Sequence, residues 1–251
     1  MLEIIPRLAG YGYRRLDLNF CEMMNPASDI DEEYIASLKR LGKDLGLEYV
    51  QSHVPYPRDW TALDEAEREA SDALVADAIR YSVSLSIPAI VIHPIRGGVK
   101  ENVDYLRRFL PLVSGTGCRL AVENMESEAE VSTPDQLIAI VQELGDDAGI
   151  CLDTGHAHMR GQDIPGAIHL FGDRLIATHI ADNHGEKDEH LLPFFGTIAW
   201  EDVMKAFSDI GYKGALTYEC MFFTRHLPRS LEEDVVALSL HIARVLEEMM
   251  E

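Results

Sequence analysis

The chain has 251 residues, 47% of them hydrophobic, which is ample material for a core, and no run approaches the ~18 consecutive apolar residues of a membrane span. Its 22 Lys and Arg face 43 Asp and Glu, for a formal charge of −21 and a pI near 4.7. A field of that sign repels polyanions, so a nucleic-acid partner is disfavoured.

The N-terminal MLEIIPRLAGYGYRR lacks a basic stretch followed by an apolar one, so no secretory signal is expected. Cys21, Cys118, Cys151 and Cys220 are scattered and form no CxxC pair, the usage expected of reduced thiols in a cytoplasmic protein. With no repeat, low-complexity tract or Pro/Ser-rich linker, residues 1–251 read as one domain.

In chain order, an opening helix over Leu2–Ala9 precedes a predicted strand at Arg15–Phe20 and a helix at Asp31–Leu45. Strands follow at Tyr49–Val54, Ala89–His93, Arg119–Glu123, Gly149–Asp153, Leu175–Ile180 and Gly214–Glu219. Between and after them lie amphipathic segments at Asp64–Tyr81, Asn102–Val113, Thr133–Leu144, Trp200–Ile210 and Leu231–Glu248. Ser132-Thr133-Pro134-Asp135 is a helix-start signal, and Gly46, Gly145 and Gly211 stand where helices should end. Short β runs alternating with longer helices predict an α/β fold with a parallel sheet, and the length suits a (β/α) barrel of about 250 residues. Seven strands are predicted, not eight, because no β run precedes the first helix. Either the barrel lacks a regular first strand or another element fills its place.

The chemistry lies at the strand ends. His53, His93, Glu123, Asp153 and His179 each close a predicted strand, Glu219 closes the last, and His156, Asp182, Asp188 and His190 lie just beyond. Barrel active sites sit on that face, where the strand ends converge. A lone histidine there is more often a hydrogen-bonded structural group, but so many Asp, Glu and His side chains at one end of consecutive strands point to a shared cation. Such a cation relieves the cost of burying their charges, and imidazole with carboxylate suits zinc, manganese or iron.

The run His53, His93-Pro94, Glu123-Asn124, Asp153-Thr154-Gly155-His156-Ala157, His179-Ile180-x-Asp182-Asn183, Asp188-x-His190-Leu191, Gly196-x-Ile198-x-Trp200 and Glu219 resembles the xylose isomerase-like TIM-barrel superfamily. That superfamily holds sugar isomerases and epimerases together with endonuclease IV. The resemblance to its sugar epimerases implies one divalent metal (Mn, Zn, Mg or Co) on Glu123, Asp153, His179 and Glu219, with the two glutamates moving the proton. The resemblance to endonuclease IV implies further ligands at His53, His93, His156, Asp188 and His190. The stretch Asp182 to Trp200 also follows a phrase of sugar phosphate isomerases, DNxGxxDEHLxPGxGxIxW, except that Phe194 stands where its first glycine is expected.

The favoured reading is a metal-dependent isomerase or epimerase of a small sugar, sugar phosphate or polyol, with Glu123 and Glu219 catalytic. His53, His93 and His156 are expected to bind substrate or further metal. Trp60 could stack on a sugar ring or simply pack its loop. Arg225, with Arg229 nearby, is placed to meet a phosphate or to lie in solvent. An endonuclease IV-like phosphodiester hydrolase is the rival, with a dehydratase of the same superfamily as a third reading. Homo-oligomer contacts through the amphipathic Leu231–Met250 segment are left open.

Overall fold

The computed structural model describes residues 1–24, 30–57, 59–127, 130–220, 223 and 227–251. Helix α1 (Ile4–Tyr11) leads into β1 (Arg15–Asn19), a short turn α2 (Phe20–Met23), α3 (Glu32–Leu45), β2 (Glu48–His53) and α4 (Glu65–Ser84). Next come β3 (Ala89–Ile92), α5 (Val99–Leu106), α6 (Leu110–Val113), β4 (Arg119–Glu123), α7 (Pro134–Leu144) and β5 (Ala148–Asp153). The chain ends with α8 (Thr154–Met159), α9 (Ile164–Phe171), β6 (Leu175–His179), α10 (Trp200–Asp209) and α11 (Glu232–Met249).

Local signals account for the element ends. Asp64 and Glu67 cap α4 reciprocally, as Thr133 and Gln136 cap α7. Gly46 closes α3 in the left-handed conformation that costs glycine little. The predicted helix over 102–113 is divided in two, since the chain turns irregularly between Arg107 and Phe109. Two helices that the sequence reading did not single out, α8 and α9, fill the connection between β5 and β6.

The strands form one parallel sheet in sequential order, β1 to β6, and the fold is a (β/α) barrel that lacks a regular strand. Alternation along each strand divides the core. One set of side chains packs outward under the helices, where Leu18, Ile90, Leu120, Ile150 and Phe207 are fully buried. A second, smaller cluster of Ala89, Val91, Ala121, Cys151 and Ala177 fills the interior. Continuing that alternation by two residues gives Ala121 then Glu123, Cys151 then Asp153, and Ala177 then His179, so the metal-binding types open into the barrel mouth.

The predicted seventh strand, Gly214–Glu219, is not a regular one. Its pairing with β6 is a single parallel bridge, Ile180 to Tyr218, with Ile180 N–H donating to Thr217 O at 2.7 Å and Glu219 N–H to Ile180 O at 3.2 Å. Below that bridge the Thr178 hydroxyl replaces the ladder, donating to Ala215 O at 2.9 Å and accepting from Thr217 N–H at 3.2 Å. A side chain thus takes the bonds that would have made this segment a strand. Among the described residues no helix is long and apolar enough to cross a membrane.

Candidate metal centre

Each group at the mouth is set by a local device. Asp153 ends β5 and caps α8: its Oδ1 accepts from His156 N–H at 2.7 Å, which leaves Oδ2 turned elsewhere. Asn124 extends the β4–β5 pairing with its side chain, exchanging bonds with Asp153 N–H and O at 2.7 and 2.9 Å. Thr154 Oγ1 ties the end of β5 to Ala181, donating to its carbonyl at 2.7 Å and accepting from its N–H at 3.0 Å. Gly155 sits so close that a Cβ there would lie 3.2 Å from both Asn183 Nδ2 and Asp153 Oδ1. The Asp-Thr-Gly-His run is therefore a structural clamp as well as a source of ligand candidates.

Ligand atoms of Glu123, Asp153, His179 and Glu219 lie within 4.8 Å of one another. His179 Nδ1 is 2.9 Å from Glu123 Oε1 and 3.0 Å from Glu219 Oε2. Beside this cluster, His53 Nε2 and His93 Nε2 are 3.0 Å apart and lie 3.4 and 3.1 Å from Glu123 Oε2. On the other flank, Asp188 Oδ2 meets His190 Nε2 at 2.6 Å and His156 Nε2 at 3.7 Å. All nine ligand candidates thus come together, with Glu123 shared between two groups.

The donor set fits divalent metal on two observations. Glu123 Oε2, Asp153 Oδ2 and Glu219 Oε2 are buried and accept no hydrogen bond, which is costly for carboxylates unless a cation lies among them. Three imidazoles also have their Nδ1 against backbone carbonyls: His53 to Val54 at 2.9 Å, His156 to Asn124 at 2.9 Å and His190 to Glu219 at 2.8 Å. That arrangement leaves Nε2 to face a cation and is usual around metal-bound histidine.

Without a cation the groups bias one another. Burial works against the charge of Glu123, but His179 and His93 outweigh it and hold the carboxyl well below its ordinary value. Burial likewise opposes ionisation of Glu219, and His179 pulls it down in spite of that. Asp153 goes the other way, raised first by burial and then by the Glu219 and Glu123 charges. His179 and His156 are raised well above an ordinary imidazole, since the carboxylates around them overcome burial. His53 is raised by Glu123 against its burial, whereas burial wins at His93 and lowers it. At Asp188 burial is overcome by bonds from His156 and His190, which bring it to about 2, and at His190 it is overcome by Asp188, which brings it to about 9.

Other expectations fall outside this gathering. Trp60 donates its indole N–H to Asp72 at 2.9 Å, with the guanidinium groups of Arg68 and Arg108 4.6 and 5.1 Å from its ring. Those contacts pack Trp60 against its own loop, α4 and Arg108. Arg225 lies outside the described residues, as does the Arg229 side chain. His158, His169 and His184 make exposed bonds to Thr197, Asp209 and Glu189.

Three residues near the site carry more weight than the sequence reading gave them. Tyr56 stacks on the His93 ring at 3.8 Å, and its place between Pro55 and Pro57, four residues ahead of Trp60, was the available signal. Glu126 Oε2 lies 3.7 Å from His156 Nε2, three residues past Glu123. Asp182, fully buried, is an anchor: it accepts from Asn183, Phe194 and Ile198 N–H and from Trp200 Nε1–H, at 2.9, 3.0, 3.2 and 2.8 Å. A Cβ on Gly196 would collide with Asp182 and Asn183, which explains the glycine there. Phe194 has φ of +74°, the conformation that favours the glycine expected at its place.

Among curated proteins, the uncharacterised protein y4fM of Sinorhizobium fredii (strain NBRC 101917 / NGR234) is 43% identical over 166 residues, 61% of this chain and 53% of its own length. A probable endonuclease 4 of Clostridium botulinum (strain Alaska E43 / Type E3) is 26% identical over 182 residues, 65% of this chain and 66% of its own. The chain thus spans about half the length of the first relative and about two thirds of the second. Among solved structures, D-psicose 3-epimerase in the presence of D-fructose superposes with a TM-score of 0.79 at 16% identity, over 98% of this chain and 93% of that one. D-psicose 3-epimerase with D-tagatose from Clostridium cellulolyticum H10 gives 0.78 at 16%, with the same coverage. These likenesses are of fold. The sequence profile of one family matches residues 5–237, nearly the whole length, and on that match the chain belongs to the xylose isomerase-like TIM barrel family.

Proposed function

We propose that the chain is a metal-dependent isomerase or epimerase of a small sugar, sugar phosphate or polyol. The observation that carries this reading is the gathering of Glu123, Asp153, His179 and Glu219 around one point, with three buried carboxylate oxygens unbonded. A divalent ion held by these four supplies Lewis acidity to a carbonyl and its neighbouring hydroxyl. Glu123 and Glu219, both kept ionised at neutral pH by His179, are suited to take a proton from the adjacent carbon and return it. Asp153, fixed by its cap on α8, orients the centre, and His156 is placed to hold a substrate oxygen. Sugar 3-epimerases share the fold, and D-psicose 3-epimerase of Enterocloster bolteae is 31% identical over 90 residues, 36% of this chain and 28% of its own length.

Deuterium exchange from solvent into carbon of candidate ketohexoses tests the reading. The metal-loaded protein should wash label in, and Glu219→Gln should abolish the exchange while far-UV circular dichroism is unchanged. Exchange that survives the substitution contradicts the proton-transfer role.

A second reading, metal-assisted phosphodiester cleavage, is favoured by the two flanking groups, His53–His93–Glu123 and His156–Asp188–His190. Curated relatives include probable endonuclease 4 proteins. Against it stands the charge of −21, since phosphate contacts normally come from Lys or Arg. More than one bound ion together with cleavage of abasic-site DNA would establish it over the first.

A further inference from the structure

Beside the four-residue cluster, three segments of the mouth converge on a second point. After β4 the chain folds back on itself, with Met125 N–H donating to Val131 O at 2.9 Å and Glu130 N–H to Ser127 O at 3.2 Å, and this turn carries Glu126 to the His156 side of the mouth. His156 comes from α8, the helix that Asp153 caps. Asp188 and His190 come from the 182–198 loop, which is pinned by the antiparallel bridge between Asp182 and Leu191. His190 takes a φ of +48°, in the left-handed region, and its ring is fixed by Nδ1 against Glu219 O at 2.8 Å. A side chain other than glycine held in that conformation stores strain, which is commonly retained where the residue has a task.

We propose that Glu126 is the fourth protein ligand of an outer divalent cation held by His156, Asp188 and His190, and that these four close the outer position to substrate. His156 is only 6% exposed, and its Nε2 lies 3.7 Å from Glu126 Oε2 and 3.7 Å from Asp188 Oδ2. Both distances exceed a well-formed hydrogen bond. They are close to the spacing of ligand atoms on tetrahedral zinc, roughly 3.3 Å for bonds of about 2.0–2.1 Å. Asp188 Oδ2 also meets His190 Nε2 at 2.6 Å, so the second imidazole borders the same point. Two carboxylates balance the charge of one dication, and two neutral imidazoles complete a set that suits zinc. The consequence concerns access. Three protein ligands leave a position for water or a phosphate oxygen, whereas four make a structural site. An outer ion closed by Glu126 ties the turn after β4, α8 and the 182–198 loop together, and only the inner cluster is left to meet substrate. The inference holds for either reaction the inner cluster could perform, and it goes beyond the isomerase reading.

Titration of the chelator-treated full chain with Zn²⁺ against a chromophoric chelator tests this, alongside its Glu126→Gln and His190→Gln variants, with ions counted after desalting. The full chain should retain an ion that His190→Gln loses, which identifies the outer one. In Glu126→Gln the affinity for that ion should fall at least ~10-fold, while the inner ion and the far-UV dichroism stay as they were. Cobalt reads the closure. The visible absorption of the outer Co²⁺, taken as the difference between the full chain and His190→Gln, should not move when inorganic phosphate is added, and it should shift in Glu126→Gln. None of these readouts depends on turnover. Equal outer-ion affinity with and without the Glu126 carboxylate overturns the proposal, as does the absence of any ion that depends on His190. Phosphate that shifts the outer absorption of the unsubstituted protein overturns the closure. Loss of both ions together in Glu126→Gln overturns the assignment of Glu126 to the outer position.

Discussion

The two sides of the barrel mouth are built differently. From β2 to β6 the sheet is one continuous parallel ladder, and from β4 onward side chains carry the pairing past the strand ends: Asn124 bridges β4 to β5, Thr154 bridges β5 to the stretch after β6, and Thr178 joins β6 to the seventh segment. Between β1 and that segment the tie is indirect: Gln51 of β2 donates to Asp17 at 2.8 Å and accepts from the Thr217 hydroxyl at 3.5 Å, while on the outside the helices hold the sides together through exposed ion pairs and tyrosine hydroxyls. The contrast teaches where rigidity is concentrated. Eight of the nine ligand candidates belong to the braced arc and the loop that follows it, and Glu219, which ends the seventh segment, is secured to Ile180 by its N–H.

Removing the shared ligand candidate should break that contrast most severely. Glu123→Gln takes a charge from both the four-residue cluster and the His53–His93 pair, so metal affinity at the centre should collapse. Carbon–deuterium exchange should fall by at least about 10²-fold, read by mass spectrometry against an unchanged dichroism spectrum.

Asp182→Ala attacks the brace rather than the ligands. Four donors, including the Trp200 indole, lose their acceptor, and a cost of about 3 kcal/mol is expected from urea unfolding. Metal affinity should fall with it, because Asp188 and His190 ride on the loop that Asp182 anchors.

The Asp188–His190 pair sets a pH window for the metal-free protein. Asp188, lowered from 3.8 to about 2, adds stability that is complete above its ordinary value and lost as pH falls toward 2. His190, raised from 6.5 to about 9, adds stability that is complete below its ordinary value and lost as pH rises through 9. The Tm gap between the protein and its His190→Gln variant in chelator should therefore be widest between pH 4 and 6.5 and close toward both extremes. A gap that does not vary with pH would remove the pair from the brace.

The smallest effect runs toward greater stability. Phe194→Gly should stabilise by about 1 kcal/mol, since glycine takes the positive φ without the strain of a side chain. A loss of stability would mean that the Phe194 contact with Trp200, at 6.4 Å between rings, outweighs the strain.

Much of this was legible in the sequence, because strand-end chemistry is local. The ends of β2, β4, β5 and β6 were placed to within a residue, and period-two alternation turned His53, Glu123, Asp153 and His179 to one face. What escaped depended on partners distant in sequence. The seventh segment has the composition of a strand, but the Thr178 hydroxyl, 36 residues before Gly214 in the numbering, takes its bonds. Trp60 and Tyr56 share one loop, and only packing decides that Tyr56 meets the histidines while Trp60 meets Asp72, Arg68 and Arg108. The place of Phe194 at a glycine position was visible, and the left-handed backbone explains why the phrase calls for glycine there.

Titration of the chelator-treated protein with Mn²⁺, Zn²⁺ and Co²⁺, followed by elemental analysis after desalting, probes the mouth most directly. At least one ion should remain per chain, and none at the four-residue cluster once Asp153 and Glu219 are both changed to Ala. A folded protein that retains no divalent ion from any of these solutions would contradict a metal centre in this barrel.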